Sequence, residues 1–370
     1  MPGREQKLPA ELQNGRKFRD ANEPANITFE ELQLATRNSG MPLEALRYDL
    51  TPTGLHYVLT HFDIPNIDPE RWRLQIRGSV LRRVELSLNE IRLLPAVRMP
   101  VTLECAGNGR SRLTPRPRSQ PWIEEACSTA VWTGVPLKTV LAQAGPHPET
   151  VEVVFWGADH GIQDGHAHTY GRSLDPEHAM RPEILLAYEM NGRPLEPQHG
   201  APLRLVVPGW YGMASVKWLT SIEAIEEPFK GFQQSVAYRY QREENDPGSP
   251  VTAIRPRALM VPPGIPETFS RRRRVDSGRV SLTGRAWSGT GSIVRVEVGI
   301  DGVWHDADLG EQMGEFTWRG WSFDWDARTG DHVLSCRATD AEGEVQPLEQ
   351  PWNFQGMGNN TVQTVHVCVV

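Results

Sequence analysis

The sequence predicts a β-rich α+β protein of two domains, in which a mixed first domain is followed by an all-β, immunoglobulin-like sandwich. The chain has 370 residues, more than one ordinary domain of about 100 to 200 residues requires. Its 30 prolines and 33 glycines are spread along the chain and favour short strands over long helices. Beyond residue 250, apolar and polar residues alternate in short segments, as in a β-sandwich.

Strands are the stronger signal in the first domain, which we place at residues 1–248 with an N-terminal extension over 1–44. Segments 72–77, 151–156 and 202–207 are alternating or continuously apolar and end in Gly or Pro, as strands do. Windows 86–94 and 135–143 repeat apolar residues at spacings of three and four, which predicts helices. Ser87 and Glu90 form a candidate capping box for the first helix.

The run NDPGSP at 245–250 interrupts this pattern, and we place the second domain at residues 249–370. From residue 279 onward the chain alternates apolar and polar residues between Gly, Asp and Ser turns. The alternating segments are RVSLTGRAW, IVRVEVGI, FTWRGWSFDW, HVLSCRAT and TVQTVHVCVV. This spacing is typical of a sandwich.

Composition and charge exclude several classes of protein. Hydrophobic residues make up 39% and charged residues 23%, the balance of a soluble globular protein. No apolar run reaches the roughly 20 residues of a membrane helix. A net charge of −7 argues against nucleic acid as a partner, and the basic run Arg271 to Arg274 is interpreted as a solvated loop before a strand. The first 20 residues show no export signal, so we expect a cytoplasmic protein, or a periplasmic one if a signal has been removed.

Cys105 is the cysteine with the most informative surroundings. The four cysteines, Cys105, Cys127, Cys336 and Cys368, lack the spacing of a disulfide framework or a zinc site. In VTLECAGNGR at 101–110, a short strand leads Cys105 into a turn with Gly107 and Gly109, where a ligand can approach the backbone. Arg110, followed by arginines at 112, 116 and 118, would favour the thiolate and attract anions. From composition alone, a packing cysteine is the commoner interpretation.

Segment 159–168 concentrates histidine and aspartate in what we interpret as a loop. Its side chains are Asp159, His160, Asp164, His166 and His168. Imidazoles and carboxylates at this density can bind zinc or another divalent ion. Solvent-exposed histidines are the commoner explanation for so polar a segment.

Segment 187–218 places His199, Arg204 and Lys217 among Gly-rich turns. Cationic side chains and exposed backbone N–H groups suit a phosphate or a pterin. The alternative is a pair of strands with surface charges. These residue types alone do not distinguish a phosphate or pterin site from a pair of strands with surface charges.

The motif CAGNGR at 105–110 resembles the CAGNRR-type motif of the sulfite oxidase family, and segment 187–218 resembles the family's second signature nearly throughout. The similarity continues through 55–65, 287–291, 296–302 and 345–356 and covers about residues 45–370. The resemblance implies a sulfite oxidase-type molybdopterin-binding domain and a molybdenum cofactor. Since no haem or flavin segment is recognisable, the chain resembles the haem-free plant and bacterial members.

By position, the resemblance implies that Cys105 ligates molybdenum beside the dithiolene of the pyranopterin, which suits a soft thiolate. The cofactor-binding set that it implies is His61, Asp159, His199, Arg204, Ser215 and Lys217. Arg110 and Tyr238 match catalytic positions, the first to hold an anionic substrate and the second to hydrogen-bond it. Tyr240 is an alternative to Tyr238.

The chain also departs from the family. Leu59 stands where an arginine is usual, Thr364 is aligned with an arginine of the second domain, and Ala214 and Ser215 replace an arginine and a histidine before Lys217. The resemblance implies oxidation of sulfite to sulfate by a homodimer, with an external electron acceptor such as a cytochrome or oxygen. Nitrate or sulfoxide reduction and a non-enzymatic β-sandwich binding protein are the alternatives.

Overall fold

The computed structural model describes residues 27–370, so the first 26 residues of the predicted N-terminal extension lie outside the described residues. The helices are short: α1 (Phe29–Arg37), α2 (Leu88–Arg92), α3 (Leu137–Ala144), α4 (Pro176–Ala179) and α5 (Phe232–Ser235). Single 3-10 turns cover Leu43–Arg47, Thr53–Leu55, Arg110–Arg112, Pro197–His199 and Gly212–Ala214. No helix within residues 27–370 is both long and apolar enough to cross a bilayer.

Strands make up most of the regular structure. The first twelve are β1 (Arg73–Gly78), β2 (Val84–Ser87), β3 (Val97–Glu104), β4 (Cys127–Pro136), β5 (Glu152–Gln163), β6 (His166–Leu174), β7 (Leu185–Met190), β8 (Arg193–Pro194), β9 (Arg204–Val206), β10 (Leu219–Ile225), β11 (Arg239–Tyr240) and β12 (Ser249–Pro250). The remaining ten are β13 (Arg257–Met260), β14 (Ile265–Pro266), β15 (Arg273–Val275), β16 (Gly278–Trp287), β17 (Ile293–Ile300), β18 (Val303–Asp306), β19 (Asp308–Gln312), β20 (Arg319–Ala327), β21 (Gly330–Asp340) and β22 (Gln363–Val369).

The two helices predicted in the first domain are present, and local capping explains their bounds. Ser87 accepts from the Glu90 amide while the Glu90 carboxylate accepts from the Ser87 amide, which is the predicted capping box. Helix α2 is shorter than its window because residues 84–87 form β2. Helix α3 is capped at its C-terminus by Gly145, whose φ of 65° is a left-handed conformation that glycine adopts without strain.

One mixed sheet and one antiparallel sheet share the core of the first domain. One has the order β2-β1-β10-β5-β6, with β1 and β10 parallel, and the other has the order β3-β4-β7-β8, with β9 beside β7. Leu74, Ile76 and Phe155 of the first sheet pack with Leu186 and Leu205 of the second, and all five are buried. The predicted strand at 151–156 extends to Gln163, whereas that at 202–207 is only three residues long.

The second domain is the predicted two-sheet sandwich. Its sheets have the orders β13-β16-β20-β19 and β14-β15-β22-β21-β17-β18, and they enclose one apolar core. The interpretation of Arg271 to Arg274 as a solvated loop is wrong for Arg273, which lies in β15 and is buried. Its guanidinium is stabilised by the carbonyls of Pro262, Pro263 and Gly264, at 2.7 to 3.1 Å.

A buried carboxylate joins the two domains. Glu104, the last residue of β3, is fully buried, and its Oε1 lies 2.7 Å from Nε of Arg257 in an ion pair that is too bent for a hydrogen bond. The Trp287 indole donates to Oε2 at 2.8 Å, and the Asn108 amide donates to Oε1 at 3.1 Å. Arg257 and Trp287 belong to the second domain, so the strand that ends beside Cys105 is fixed from across the interface.

Glu104→Gln should therefore lower the free energy of unfolding by about 3 to 5 kcal/mol, because it leaves the buried charge of Arg257 without its partner. Urea denaturation measures this loss. Asp324→Asn is the matched control, since it breaks an exposed pair with Arg279 and should cost about 1 kcal/mol or less. Equal losses in the two variants would contradict the assignment of Glu104 as a structural anchor.

Candidate active site

Cys105 lies at the end of β3 in a tight turn. Its amide donates to the Ala126 carbonyl at 2.9 Å, and its own carbonyl accepts from the Asn108 amide at 2.9 Å. Gly109 has a φ of 85°, and a Cβ there would lie 2.7 Å from the Asn359 carbonyl oxygen. Glycine is therefore required at this position by its backbone conformation and by the close approach of Asn359, whereas the sequence suggested the approach of a ligand.

The thiol of Cys105 is buried, and its surroundings have opposing effects. Burial raises its pKa, while Arg110 and the Gly107 amide, 3.4 Å from Sγ, lower it. Arg110 therefore favours the thiolate, as expected, but burial has the larger effect on the pKa. A bound metal cation would stabilise the thiolate against the effect of burial, because a coordinating thiol is deprotonated.

Two cavities meet at Cys105. The inner cavity, of about 60 Å³, is lined by eight of the nine residues proposed from the sequence: His61, Cys105, Asp159, His199, Arg204, Ser215, Lys217 and Tyr238. The outer cavity, of about 310 Å³, is lined by the ninth, Arg110, and shares Cys105, His61 and Tyr238 with the inner one. The fold thus brings together residues that lie up to 177 positions apart.

Two cationic side chains of the inner cavity, the buried Arg204 and the partly buried Lys217, are held by backbone carbonyls. Lys217 Nζ donates to the carbonyls of Leu59 and Gln198 at 2.8 and 3.0 Å, and Arg204 donates to those of His199 and Ser215. Burial lowers the pKa of Lys217 to about 7 and that of Arg204 to about 10. A phosphate beside them would raise both pKa values, because an opposite charge favours the charged form.

Two polar atoms of the inner cavity lack a hydrogen-bond partner. Asp159 Oδ1 and His56 Nε2 are buried and have no partner among residues 27–370, although buried polar atoms are almost always bonded. Burial raises the pKa of Asp159 to about 6 and lowers that of His56 to about 3. A thiol, two cations and two unpartnered polar atoms fit the metal, phosphate and pterin of a molybdenum cofactor.

Sequence reasoning missed His56, although it lies in the segment 55–65 that carried the resemblance. Its ring meets that of His199 edge-on, with centroids 5.3 Å apart. Its other ring nitrogen, Nδ1, lies 2.9 Å from the Tyr57 carbonyl. What identifies His56 is that three histidines line the inner cavity. Because His199 comes from a distant segment, no local sequence pattern reveals this.

Tyr238 and His61 contact each other and line both cavities together with Cys105. The Tyr238 hydroxyl lies 2.6 Å from His61 Nε2, and burial holds His61 neutral by lowering its pKa to about 3. Tyr238 has a φ of 48°, a strained value for a non-glycine residue that recurs at functional sites. The alternative, Tyr240, lines neither cavity and lies under the guanidinium of Arg255.

Arg110 is buried and contacts residues of both domains. It donates to the carbonyl oxygens of Gln120 and Gln355 at 3.1 and 3.0 Å and contacts Met357 Sδ at 3.4 Å. Of the arginines that follow it, Arg112 forms an ion pair with Glu124. Arg116 forms an ion pair with Glu31, and Arg118 lines the outer cavity.

The placement of Thr364 at the substrate pocket is wrong. Thr364 lies in β22 opposite Ser335 and lines neither cavity. The second domain reaches the outer cavity instead through Phe354, Gln355 and Met357. The reason is that the chain turns back toward the first domain before β22 begins, so segment 354–357 lies against Arg110 and includes the neutral Gln355.

The polar segment 159–168 is a hairpin rather than a loop. It joins β5 to β6 through a turn at Asp164 and Gly165, both with positive φ. Asp159 lines the inner cavity, His160 is exposed, and His168 stacks on Phe232 with centroids 4.5 Å apart. In the part of the chain that the structure describes, no group of three or more His, Cys, Asp or Glu side chains is arranged to hold a metal ion.

Comparison with known proteins agrees with this arrangement. Residues 61–233 match the oxidoreductase molybdopterin binding domain, and residues 260–370 match the Mo-co oxidoreductase dimerisation domain. The solved structure of the sulfane dehydrogenase SoxCD from Paracoccus pantotrophus superimposes with a TM-score of 0.79 at 25% identity, over 96% of this chain and 89% of that one.

Among curated proteins, mitochondrial sulfite oxidase of Homo sapiens is 35% identical in an alignment of 360 positions that covers 90% of this chain and 64% of the human protein. Sulfite oxidase of Gallus gallus is 35% identical over 83% of this chain and 71% of its own length. The NADH nitrate reductase of Spinacia oleracea is 31% identical over 87% of this chain and 38% of its own length. The chain thus spans about two thirds of the sulfite oxidases it matches.

The fold and the site define a molybdopterin-binding oxidoreductase with an attached dimerisation domain. The non-enzymatic alternative does not account for a molybdopterin-binding domain whose cavity meets a buried cysteine. The chain belongs to the sulfite oxidase family.

Cys105→Ser should leave a folded protein with no turnover, because a hydroxyl is a hard and poor substitute for a soft thiolate ligand. Turnover per bound molybdenum and the circular dichroism of the variant test this. Cys368→Ser is the control, because Cys368 lies in β22, is only partly buried and lines neither cavity. Activity retained in Cys105→Ser would remove Cys105 from the metal site.

Proposed function

We propose that this chain oxidises sulfite to sulfate with a molybdenum cofactor. The observation that carries the proposal is that Cys105 faces both cavities at once, with the pterin-type donor set on one side and Arg110 on the other. A metal bound by this thiolate would sit where the cofactor cavity opens to the substrate cavity. The relatedness to sulfite oxidases at 35% identity supports the same reaction.

The protein's own residues would bind and position the cofactor and the substrate. Lys217, Arg204 and Ser215 would hold the phosphate end of the cofactor, and Asp159 and His56 would accept or donate hydrogen bonds to the pterin. The cofactor supplies two-electron oxygen-atom transfer. The reaction balances as sulfite plus water giving sulfate, two protons and two electrons, and the electrons leave to an external acceptor such as a cytochrome or oxygen.

On the substrate side, Arg110 offers the nearest positive charge. Its contacts to Gln120, Gln355 and Met357 fix the guanidinium before substrate arrives, and preorganised donors of this kind need no reorganisation during the reaction. Burial holds the pKa of Tyr238 well above 10, so its hydroxyl stays protonated. His61 fixes that hydroxyl in place through the 2.6 Å contact.

Nitrate reduction is the second candidate, and the relatedness to plant nitrate reductases at 31 to 32% identity favours it over sulfoxide reduction. Nitrate carries one charge and suits a pocket with few cations. Turnover of nitrate with a reduced viologen, at a rate above that of sulfite with ferricyanide, would favour this reaction instead.

For sulfite, the kinetics should reflect the neutral residues at Leu59 and Gln355. We expect a KM near the upper end of the usual range, at about 1 mM. We also expect kcat/KM to fall as ionic strength rises from about 0.01 to 0.15 M, since the Debye length shortens from about 30 to 8 Å. In molybdenum-loaded protein, Leu59→Arg should lower KM by about tenfold and change kcat less, as expected for uniform binding.

Sulfite-dependent reduction of ferricyanide, cytochrome c and oxygen measures these constants and ranks the acceptors. A micromolar KM that salt does not affect would contradict a weak anion pocket. Absence of sulfite turnover in molybdenum-loaded protein would contradict the proposed function itself.

We further propose a homodimer formed mainly through the second domain. The match of residues 260–370 to a dimerisation domain supports it, as do large apolar side chains exposed there, including Ile265, Phe269 and Val303. Two-fold homodimers are the commonest oligomers. Light scattering on the full chain should give twice its mass of 41.6 kDa, and a monomer at every concentration would contradict the proposal.

A further inference from the structure

The outer cavity is larger and more apolar than a small inorganic anion requires. Its volume of about 310 Å³ reaches the range of pockets that bind small organic molecules, about 300 to 1,000 Å³. Apolar side chains from both domains line it, among them Leu59, Phe62, Ile162, Phe354 and Met357. Such walls contribute binding energy to a hydrocarbon group but none to a bare oxyanion.

The side chains that line this cavity have a net formal charge of one positive unit, equal to that of a single arginine. Among the described residues that line it, Arg110 and Arg118 are cationic and Asp164 is anionic, so two of the three formal charges cancel. Burial holds His61 neutral. Gln355 adds no charge, and its side-chain amide already donates to the Val236 carbonyl at 2.7 Å.

Arg110 itself has limited capacity for an anion. An arginine has five N–H donors, and its contacts with the carbonyls of Gln120 and Gln355 and with Met357 Sδ use three of them. The donors that are left suit one anionic group of single charge. A dianion in this cavity would keep part of its charge uncompensated, which is costly in a partly buried site.

We propose that the preferred substrates are organic sulfinates, R–SO₂⁻, rather than sulfite. This rests on the proposed function, because a sulfinate has the same reactive feature as sulfite, a lone pair on a sulfur that bears oxygens. It differs in carrying one charge, which Arg110 matches, and one organic substituent, which the apolar walls of the outer cavity accept.

The reaction balances without a new co-reactant. A sulfinate and water give a sulfonate, R–SO₃⁻, two protons and two electrons. One S–O bond forms at the sulfur lone pair and no carbon–sulfur bond breaks. The sulfur is oxidised by two electrons, which leave through the cofactor to an external one-electron acceptor such as ferricyanide, as they do for sulfite.

Equilibrium binding tests the cavity independently of turnover. Calorimetry on molybdenum-loaded protein compares sulfate with methane-, ethane- and propane-1-sulfonate, the products of the two reactions. Each added CH₂ should tighten binding about two- to fourfold, because it buries apolar surface against the walls. Sulfate should bind more weakly than propane-1-sulfonate. Sulfate that binds more tightly than all three sulfonates would overturn the inference.

Steady-state kinetics with ferricyanide tests the same selectivity during turnover. We expect kcat/KM for propane-1-sulfinate to exceed that for sulfite by about tenfold or more, from the same apolar burial. Leu59→Arg should lower this ratio by about tenfold, since a second cation favours a second charge. Leu59→Met is the matched control and should leave the ratio unchanged, because it replaces one apolar side chain with another of similar volume.

The outcomes separate the two proposals. A preference for sulfinate that Leu59→Arg lowers and Leu59→Met preserves supports both. A wild-type preference for sulfite overturns the sulfinate inference and leaves sulfite oxidation standing. No turnover of either compound in molybdenum-loaded protein overturns the proposed function, and the sulfinate inference with it.

Discussion

The buried ion pair between Glu104 and Arg257 is the interaction on which the rest of the site depends. Glu104 precedes Cys105 directly, and its partners Arg257 and Trp287 come from the other domain. Two hydrogen bonds to the turn extend this connection: the Gly358 amide donates to the Ala106 carbonyl, and the Asn359 side-chain amide donates to the Gly109 carbonyl. The turn that carries the thiol is therefore shared by both domains, and the second domain contributes directly to the catalytic centre.

This arrangement explains why the site divides into two chemically different parts. The inner side is built wholly from the first domain and holds cationic side chains and unpartnered polar atoms, which suit a phosphate and a pterin. The outer side lies where the domains meet, and the second domain contributes neutral and apolar side chains there. Substrate preference can therefore change through segment 354–357 and through Leu59 without altering the cofactor-binding residues.

Features that depend on neighbouring residues could be predicted from the sequence, whereas contacts between distant segments could not. The glycine spacing after Cys105 and the capping box at Ser87 depend on residues a few positions apart. Gln355 could not be predicted, because its approach to Arg110 depends on where the chain turns back before β22. The sequence indicates a loop at 159–168 where the structure has a hairpin. Polar side chains of this hairpin line the two cavities, so the apolar alternation that identifies strands is absent.

The central claim is that Cys105 provides a thiolate ligand to molybdenum at the junction of the two cavities. X-ray absorption at the molybdenum edge, on loaded wild-type protein and on Cys105→Ser, tests it most directly because it counts sulfur ligands. We expect the variant to lose one sulfur scatterer from the metal shell while the dithiolene sulfurs remain. The same number of sulfur ligands in both proteins would contradict the claim.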